Sequence, residues 1–206
     1  VDGLLDYGFT DIILVNDGSK PENIHYFEEA ARHPEVHVLH HEINRGKGAA
    51  LKTAFQWFLN NRPDGIGVVT VGGDSQDHAA VARACALHMA QTDRIVLGVR
   101  DFDQPDVPFK SRNGNKITSV VFKIFVGMTI SDTQTGLRAI PRKALETLVK
   151  VAGDRFEYET NMLLAFKEKA IAFDEVKIRT VYIEENASSH FHPIRDSWRI
   201  YKLILA

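Results

Sequence analysis

Ile12-Ile13-Leu14-Val15-Asn16-Asp17-Gly18-Ser19 is the stretch that decides the fold class of this 206-residue chain. Its apolar half predicts a buried β-strand, and its Asn-Asp-Gly-Ser half predicts a turn directly after that strand. A second apolar run, at 66–71, is followed in the same way by the polar cluster Gly72-Gly73-Asp74-Ser75-Gln76. Sheets of parallel strands bind ligands at the carboxyl ends of their strands, so both clusters indicate one binding region.

The other apolar runs indicate how this region is built. We expect further strands at 36–39 and 95–99, and helices at 46–59 and 79–91. Strands separated by helices predict an α/β fold, a doubly wound and mostly parallel sheet with helices on both faces. For the less regular second half we expect helical structure at 117–125, 157–169 and 197–205, a polar loop at 131–138 and strand-like structure at 173–183.

The composition excludes several classes of protein. The chain carries 25 Lys and Arg against 27 Asp and Glu, a formal net charge of −2, which is not that of a general nucleic-acid binder. Hydrophobic residues make up 44% of the chain, as in globular domains, and no run approaches the ~18 apolar residues of a membrane span. Cys85, the single cysteine, has no partner for an internal disulfide and is expected to be buried in a helix.

The two ends bear on the domain organisation. The sequence starts at Val1, not at a methionine, and ends in an apolar helical pattern. We therefore expect residues 1–206 to form a single domain, cut at both ends out of a longer protein.

Two clusters carry candidate ligands for charged groups. Asp74 and Gln76 are two residues apart in a loop after a strand, so their side-chain oxygens can point the same way and share Mg²⁺ or Mn²⁺. The alternative is an ordinary polar turn that caps the next helix. Lys47 lies between two glycines at the start of a helix, where exposed amides and the helix dipole favour phosphate. The alternative there is that Gly46 and Gly48 only permit a tight turn.

The order of these clusters resembles family 2 of the glycosyltransferases, which have the GT-A fold. The dolichyl- and polyprenyl-phosphate sugar synthases are the most similar subgroup. The resemblance covers residues 12–201 and is carried by Asn16-Asp17-Gly18-Ser19, Asn44-Arg45-Gly46-Lys47-Gly48, Gly72-Gly73-Asp74-Ser75-Gln76 and Asp132-Thr133-Gln134-Thr135-Gly136-Leu137-Arg138. It implies a metal-dependent, inverting transferase that moves a hexose from a nucleoside-diphosphate sugar to a polyprenyl phosphate, on the cytoplasmic face of a membrane.

The resemblance also implies roles for individual positions. The residues expected to bind the donor sugar nucleotide are Asp17, Gly18, Lys47 and Asp74, and those expected to bind the metal are Asp74 and Gln76. Catalytic roles are implied for Asp74, Asp132 and Glu159. The acceptor phosphate is expected at Arg112 and Arg138, because guanidinium groups match phosphate geometry. The alternative for Arg112 is a solvated surface charge.

The sequence departs from the family pattern in the metal loop and at its start. The family's loop usually reads Asp-x-Asp-x-Gln, and here Gly72 replaces the first aspartate. The family's first strand, which cups the nucleobase, would precede Val1. The change at Gly72 keeps open a catalytically weakened nucleotide-sugar binding module. Transfer to a saccharide hydroxyl is a further alternative, and it would need a base such as Asp132 or Glu159.

Two apolar faces with basic neighbours indicate contact with a membrane surface. One lies at 117–125 beside Lys116 and Lys123, and the other lies at 198–205 beside Arg195, Arg199 and Lys202. An apolar face with flanking positive charge suits the interface of an anionic bilayer. The alternative is that both faces pack on the core of the domain. The sequence indicates no nucleic-acid partner and leaves the oligomeric state open, a homo-oligomer included.

Overall fold

The computed structural model describes residues 1–72, 78–101, 118–120 and 122–178, without the side chain of His78. Several predicted features lie outside these residues. They are the end of the strand expected at 173–183, the helix expected at 197–205, and Ile117 and Val121 of the first apolar face.

Strands and helices alternate through the described part of the chain. The strands are β1 (Ile12–Asp17), β2 (Val36–His41), β3 (Gly67–Thr70), β4 (Ile95–Arg100), β5 (Arg138–Pro141) and β6 (Phe173–Ile178). The α-helices are α1 (Asp2–Asp6), α2 (Ile24–Ala30), α3 (Lys47–Asn61), α4 (His78–Thr92), α5 (Arg142–Leu148) and α6 (Glu157–Glu168), with a π-helical turn at Phe122–Val126. The strands predicted in the first half and the three long helices predicted before residue 170 are confirmed, with ends that differ by about two residues at most.

The strands form a parallel pair and a mixed sheet. β1 pairs with β2 in parallel, and the second sheet has the order β3-β5-β4-β6. β4 and β6 are parallel, whereas β5 runs antiparallel to both of its neighbours. Strand β5 was not predicted, because it is only four residues long, begins with an arginine and ends with a proline. All four of its residues are nevertheless buried.

Strand β4 lies at the centre of the hydrophobic core, as its continuous apolar run predicts. Alternate side chains of β4 contribute to two clusters, one packed with α3, α5 and α6 and the other with α4. Ile95, Val96 and Leu97 are all fully buried, and such a side chain stabilises the fold by about 1.5–3 kcal/mol. Cys85 of α4 is fully buried as well, which confirms its predicted position, and burial raises the pKa of its thiol to about 11.

A close approach at Gly48 joins the start of α3 to the segment that leads into α6. A Cβ atom at Gly48 would lie 2.5 Å from Cβ of Tyr158 and 2.8 Å from the carbonyl carbon of Asp154. The backbone amide of Ala49 donates a hydrogen bond to the carbonyl oxygen of Asp154, at 2.8 Å. Only glycine at position 48 lets the two backbones meet at this distance.

Gly48→Ala is therefore expected to lower the free energy of unfolding by about 2 kcal/mol, because the added methyl group must displace backbone. Gly3→Ala is the matched control, since its Cβ would lie 3.9 Å from Cβ of Ala79, an ordinary contact, in helix α1. This control is expected to be neutral or to stabilise by up to about 1 kcal/mol. Urea unfolding followed by circular dichroism measures both. Equal stability of the two variants would contradict the close approach.

Candidate functional site

Residues of two predicted polar clusters lie where strands of the mixed sheet begin or end. Gly72 follows β3, Arg100 ends β4, and Arg138, the first residue of β5, lies opposite residues of both strands. The loop at 131–137, here called the crossing loop, is bonded to both neighbours of β5. Thr70 Oγ1 donates a hydrogen bond to the carbonyl oxygen of Gly136 at 2.7 Å. The amide of Gly98 donates one to the carbonyl oxygen of Leu137 at 2.9 Å.

The carboxylate of Asp17 holds the glycine turn that starts helix α3. Asp17 ends β1, and its Oδ1 accepts hydrogen bonds from Nδ1 of His41 at 2.6 Å and from the amide of Arg45 at 2.9 Å. Its Oδ2 accepts a hydrogen bond from the amide of Gly46 at 2.8 Å. Partial burial raises the pKa of Asp17, but the bond from His41 and the two backbone bonds outweigh it, so the pKa lies below its ordinary value.

Two glycines let the turn fold closely against its neighbours. Gly18 has φ +66°, and a Cβ there would lie 2.3 Å from the amide nitrogen of Asn44. Gly46 has φ +104°, and a Cβ there would lie 2.6 Å from the carbonyl oxygen of Asp154. Both glycines therefore bring backbone against backbone beside Asp17. The donor-binding roles of Asp17 and Gly18 stay predictions.

Lys47 and Glu159 join the predicted donor side of the site to its acceptor side. Lys47 is the first residue of α3 and Glu159 lies in the first turn of α6. Nζ of Lys47 lies 2.9 Å from Oε2 of Glu159, with side chains 39% and 14% exposed. Both groups lie beside Gly136 of the crossing loop, where an added Cβ would be 3.3 Å from Nζ of Lys47. The structure thus places two predicted site residues in direct contact.

Asp132 is held by Arg100 in a two-point ion pair. Asp132 is fully buried, and its two oxygens accept hydrogen bonds from Nε and Nη2 of Arg100 at 2.7 and 3.0 Å. The amide of Gln134 donates a further bond to Oδ1 at 3.1 Å. This geometry suits a residue that positions the crossing loop against the end of β4. A catalytic role for Asp132 stays a prediction.

Arg138 lies beneath the crossing loop and is only 1% exposed. Its Nε donates to the carbonyl oxygen of Thr135 at 3.1 Å, and its Nη1 donates to that of Glu159 at 3.0 Å. Burial lowers the pKa of Arg138, and the charges of Glu159 and Asp132 oppose this effect. Its Nη2 has no hydrogen-bond partner among the described residues. That donor keeps the predicted acceptor-phosphate role open, while the other two bonds hold the loop to α6.

Three predicted site residues, Asp74, Gln76 and Arg112, lie outside the described residues. Within the described ranges no group of three His, Cys, Asp or Glu side chains is placed to hold a metal ion. Two further residues, His41 and Arg100, are brought into the site by the fold and were not predicted from the sequence. Both end a strand, so the strand-end rule that singled out Asp17 would have found them if applied to every strand.

Comparison with known proteins identifies the family to which the chain belongs. The family model described as Glycosyl transferase family 2 matches residues 2–149 of the chain. The chain belongs to glycosyl transferase family 2. The resemblance carried by the clusters is therefore confirmed, together with the expected α/β fold of GT-A type, and the chain is a glycosyltransferase.

Relatives of known sequence extend over most of the chain. An uncharacterized protein of Methanocaldococcus jannaschii is 28% identical over 203 residues, covering 96% of this chain and 81% of that protein. The UDP-N-acetylglucosamine–dolichyl-phosphate N-acetylglucosaminyltransferase of Methanococcus voltae is 26% identical over 203 residues, covering 89% of this chain and 80% of the relative. The undecaprenyl-phosphate 4-deoxy-4-formamido-L-arabinose transferase of Photorhabdus laumondii is 25% identical over 166 residues, covering 80% of this chain and 49% of the relative.

Asp17→Asn is expected to remove the part of the unfolding free energy that depends on an ionised carboxylate at position 17. The pKa of Asp17 is lowered in the folded protein from its ordinary value of 3.8, so the stabilisation is complete above that pH and is lost as the pH falls through the folded value. At pH 7 the variant is expected to lose about 1–2 kcal/mol of unfolding free energy, from weakened hydrogen bonds to a charged group. Chemical unfolding of both proteins from pH 7 to pH 2 measures the difference. If the difference in unfolding free energy between the two proteins does not shrink below pH 3.8, the hydrogen bonds from the turn to the ionised Asp17 do not stabilise the fold as expected.

Proposed function

We propose that this glycosyltransferase moves a hexose, with inversion, from a nucleoside-diphosphate sugar to a polyprenyl phosphate of the dolichyl kind. The observation that carries the proposal is the contact between Lys47 and Glu159, which brings the start of α3 together with α6 beside the crossing loop. Relatives whose names state transfer to dolichyl and undecaprenyl phosphates support it.

The donor side would use the start of α3. Lys47 is the first residue of this helix and lies where the helix dipole favours a diphosphate. Asp74 and Gln76 would hold Mg²⁺ or Mn²⁺, and the metal would supply neutralisation of the charge on the leaving nucleoside diphosphate. The protein's own part is to fix the donor so that its anomeric carbon faces the acceptor oxygen.

The two carboxylates named as candidate bases for a hydroxyl acceptor, Asp132 and Glu159, are both ion-paired, which favours a phosphate acceptor. Asp132 is paired with Arg100, and Glu159 is paired with Lys47. A phosphate oxygen is already ionised at neutral pH and needs little help from a base. A saccharide hydroxyl would need one, and either carboxylate would have to leave its cation to act as a base. Positioning and charge are therefore sufficient for the proposed reaction.

The full-length protein is expected to transfer sugar from UDP-N-acetylglucosamine to dolichyl phosphate in the presence of Mn²⁺, the reaction that the name of the Methanococcus voltae relative states. Asp74→Ala is expected to lower the rate by about 100-fold or more, because the negative charge of the leaving group would lose its metal. Asp64→Ala, at an exposed aspartate on the segment between α3 and β3, is the control and should keep the activity. Radiolabelled product extracted into organic solvent measures transfer.

The alternatives give different results in the same assay. Faster transfer to a free saccharide than to dolichyl phosphate would support a hydroxyl acceptor. Binding of UDP-N-acetylglucosamine in calorimetry without any transfer would support a weakened binding module. In that case Gly72→Asp, which restores the family's missing carboxylate, should tighten Mn²⁺ or donor binding.

A polyprenyl phosphate keeps its tail in lipid, so the proposed reaction requires a site beside a membrane. We propose that this is the cytoplasmic face. Among the described residues no helix has the length and apolar character to cross a bilayer. The π-helical turn instead exposes the apolar side chains of Ile124, 69% exposed, and Phe125, 59% exposed, and Val120, two residues before the turn, is 53% exposed. Phe122, which is 1% exposed, anchors this turn in the core. Exposed apolar residues beside Lys123 suit a lipid interface.

Replacement of Ile124 and Phe125 together by glutamate is expected to weaken binding to liposomes that contain phosphatidylserine by about tenfold, because apolar area no longer enters the lipid. Ile66→Glu is the control, since Ile66 is an apolar residue 64% exposed elsewhere on the surface. Co-sedimentation of the full-length protein measures binding, and added salt should weaken it further. Equal losses in the two variants would contradict a lipid-facing turn.

A further inference from the structure

A hydrogen-bonded chain behind the glycine turn joins Asp17 to two residues, His41 and Thr53, that have no part in the proposed function. Nε2 of His41 lies 2.9 Å from Oγ1 of Thr53, and Nδ1 of His41 lies 2.6 Å from Oδ1 of Asp17. The three residues lie on α3, β2 and β1, and Asp17 and His41 are directly opposite each other in the parallel pair of strands. The chain thus links the interior of α3 to the carboxylate that holds the start of the same helix.

Burial fixes the imidazole of His41 in one orientation. His41 is 8% exposed, and both of its ring nitrogens are hydrogen-bonded. A ring held at both nitrogens cannot rotate without leaving a buried polar atom unpaired, which costs about 1–3 kcal/mol. The position of Nδ1, and with it the position of Oδ1 of Asp17, is therefore set by the bond to Thr53.

The order of acid, imidazole and hydroxyl is also that of a nucleophilic triad, but the surroundings of Thr53 do not suit one. Thr53 lies in the interior of α3, where backbone amides are bonded within the helix and do not form an oxyanion hole. Its hydroxyl therefore anchors the imidazole and does not attack a substrate.

The carboxylate of Asp17 is nearly saturated by protein donors. Its Oδ1 accepts bonds from His41 and the amide of Arg45, and its Oδ2 accepts one from the amide of Gly46. A carboxylate has about four acceptor positions, so about one, on Oδ2, is left for a ligand. Most of the hydrogen-bonding capacity of Asp17 is spent on shaping the turn.

We infer that His41 and Thr53 are positioning residues, which hold Asp17 so that the turn at Arg45 and Gly46 is formed before the donor binds. The inference rests on the proposed function, because it assigns the turn to the donor diphosphate. A preformed turn binds its ligand without the cost of ordering the backbone. Loss of the hydrogen bonds from Thr53 to His41 and from His41 to Asp17 should therefore raise KM for the donor and leave kcat nearly unchanged.

Two substitutions of His41 separate its two bonds. The side-chain amide of asparagine can replace Nδ1 and donate to Asp17, whereas that of glutamine reaches towards Thr53 in place of Nε2. His41→Asn is expected to keep the turn, and His41→Gln is expected to loosen it. Thr53→Val removes the hydroxyl at nearly constant volume, and Thr53→Ser keeps it as the matched control.

Amide hydrogen exchange of Arg45 and Gly46, measured by NMR on the free protein, tests the positioning without any ligand. His41→Gln is expected to speed exchange at both amides by about tenfold, and His41→Asn by less than about threefold. Thr53→Val is expected to fall between them, and Thr53→Ser to match the wild type. Equal exchange in His41→Gln and the wild type, or equal acceleration in both His41 variants, would overturn the inference.

Calorimetry with UDP-N-acetylglucosamine and Mn²⁺, and steady-state transfer to dolichyl phosphate, test the link to the donor. His41→Gln is expected to weaken binding and raise KM by about tenfold, with kcat within about twofold of the wild type. Faster exchange with unchanged donor binding would overturn the assignment of the turn to the donor. If the wild type binds no sugar nucleotide while the exchange pattern holds, the proposed function fails and the positioning of the turn stands.

Discussion

The buried guanidinium of Arg138 is the constraint on which the site depends. A cation that is 1% exposed is costly unless acceptors and negative charges surround it. Carbonyl oxygens of the crossing loop and of α6 accept two of its hydrogen bonds, and the carboxylates of Asp132 and Glu159 supply the charge. Arg138 thereby draws β5, the crossing loop and α6 together at the ends of β3 and β4.

The same cluster holds a donor that suits an anion. Among the described residues, Arg138, Arg100 and Lys47 bring three positive groups to the crossing loop, and Asp132, Glu159 and Glu175 bring three negative ones. These charges balance, but the buried Nη2 of Arg138 has no hydrogen-bond partner among the described residues. A phosphate oxygen would satisfy that donor, which agrees with the proposed phosphate acceptor.

The sequence predicts the parts of the fold whose pattern is local. Continuous apolar runs identified β1 to β4, and helical spacing identified α3, α4 and α6, because each of these signals lies within one element. The shorter α1, α2 and α5, of five to seven residues, have too few turns for a clear period and were not predicted. Strand β5 was missed because its burial comes from the strands on either side and not from its own four residues.

The candidate site shows the same division between local and distant information. The motifs predicted Asp17 and Lys47 as residues of the site. The partners of Asp17 lie 24 to 29 residues away from it in the sequence. The pairing of β1 with β2 and the glycine turn bring these partners to Asp17. The contact between Lys47 and Glu159 depends on Gly48, which lets α3 start against the segment that leads into α6. Such contacts follow from packing, which no spacing of residues reveals.

In the proposed reaction, the pairing of Lys47 with Glu159 links the charge on the donor side of the site to the charge on its acceptor side. Lys47 is 39% exposed, so a donor diphosphate can reach its ammonium group and compete with Glu159 for it. The diphosphate of the donor carries two negative charges, one on each phosphate, and so attracts the ammonium more strongly than one carboxylate does. When Lys47 turns to the donor, the carboxylate of Glu159 loses part of its compensating charge, while its backbone carbonyl stays bonded to Arg138. In the proposed reaction, donor binding would therefore change the charge on the acceptor side of the crossing loop.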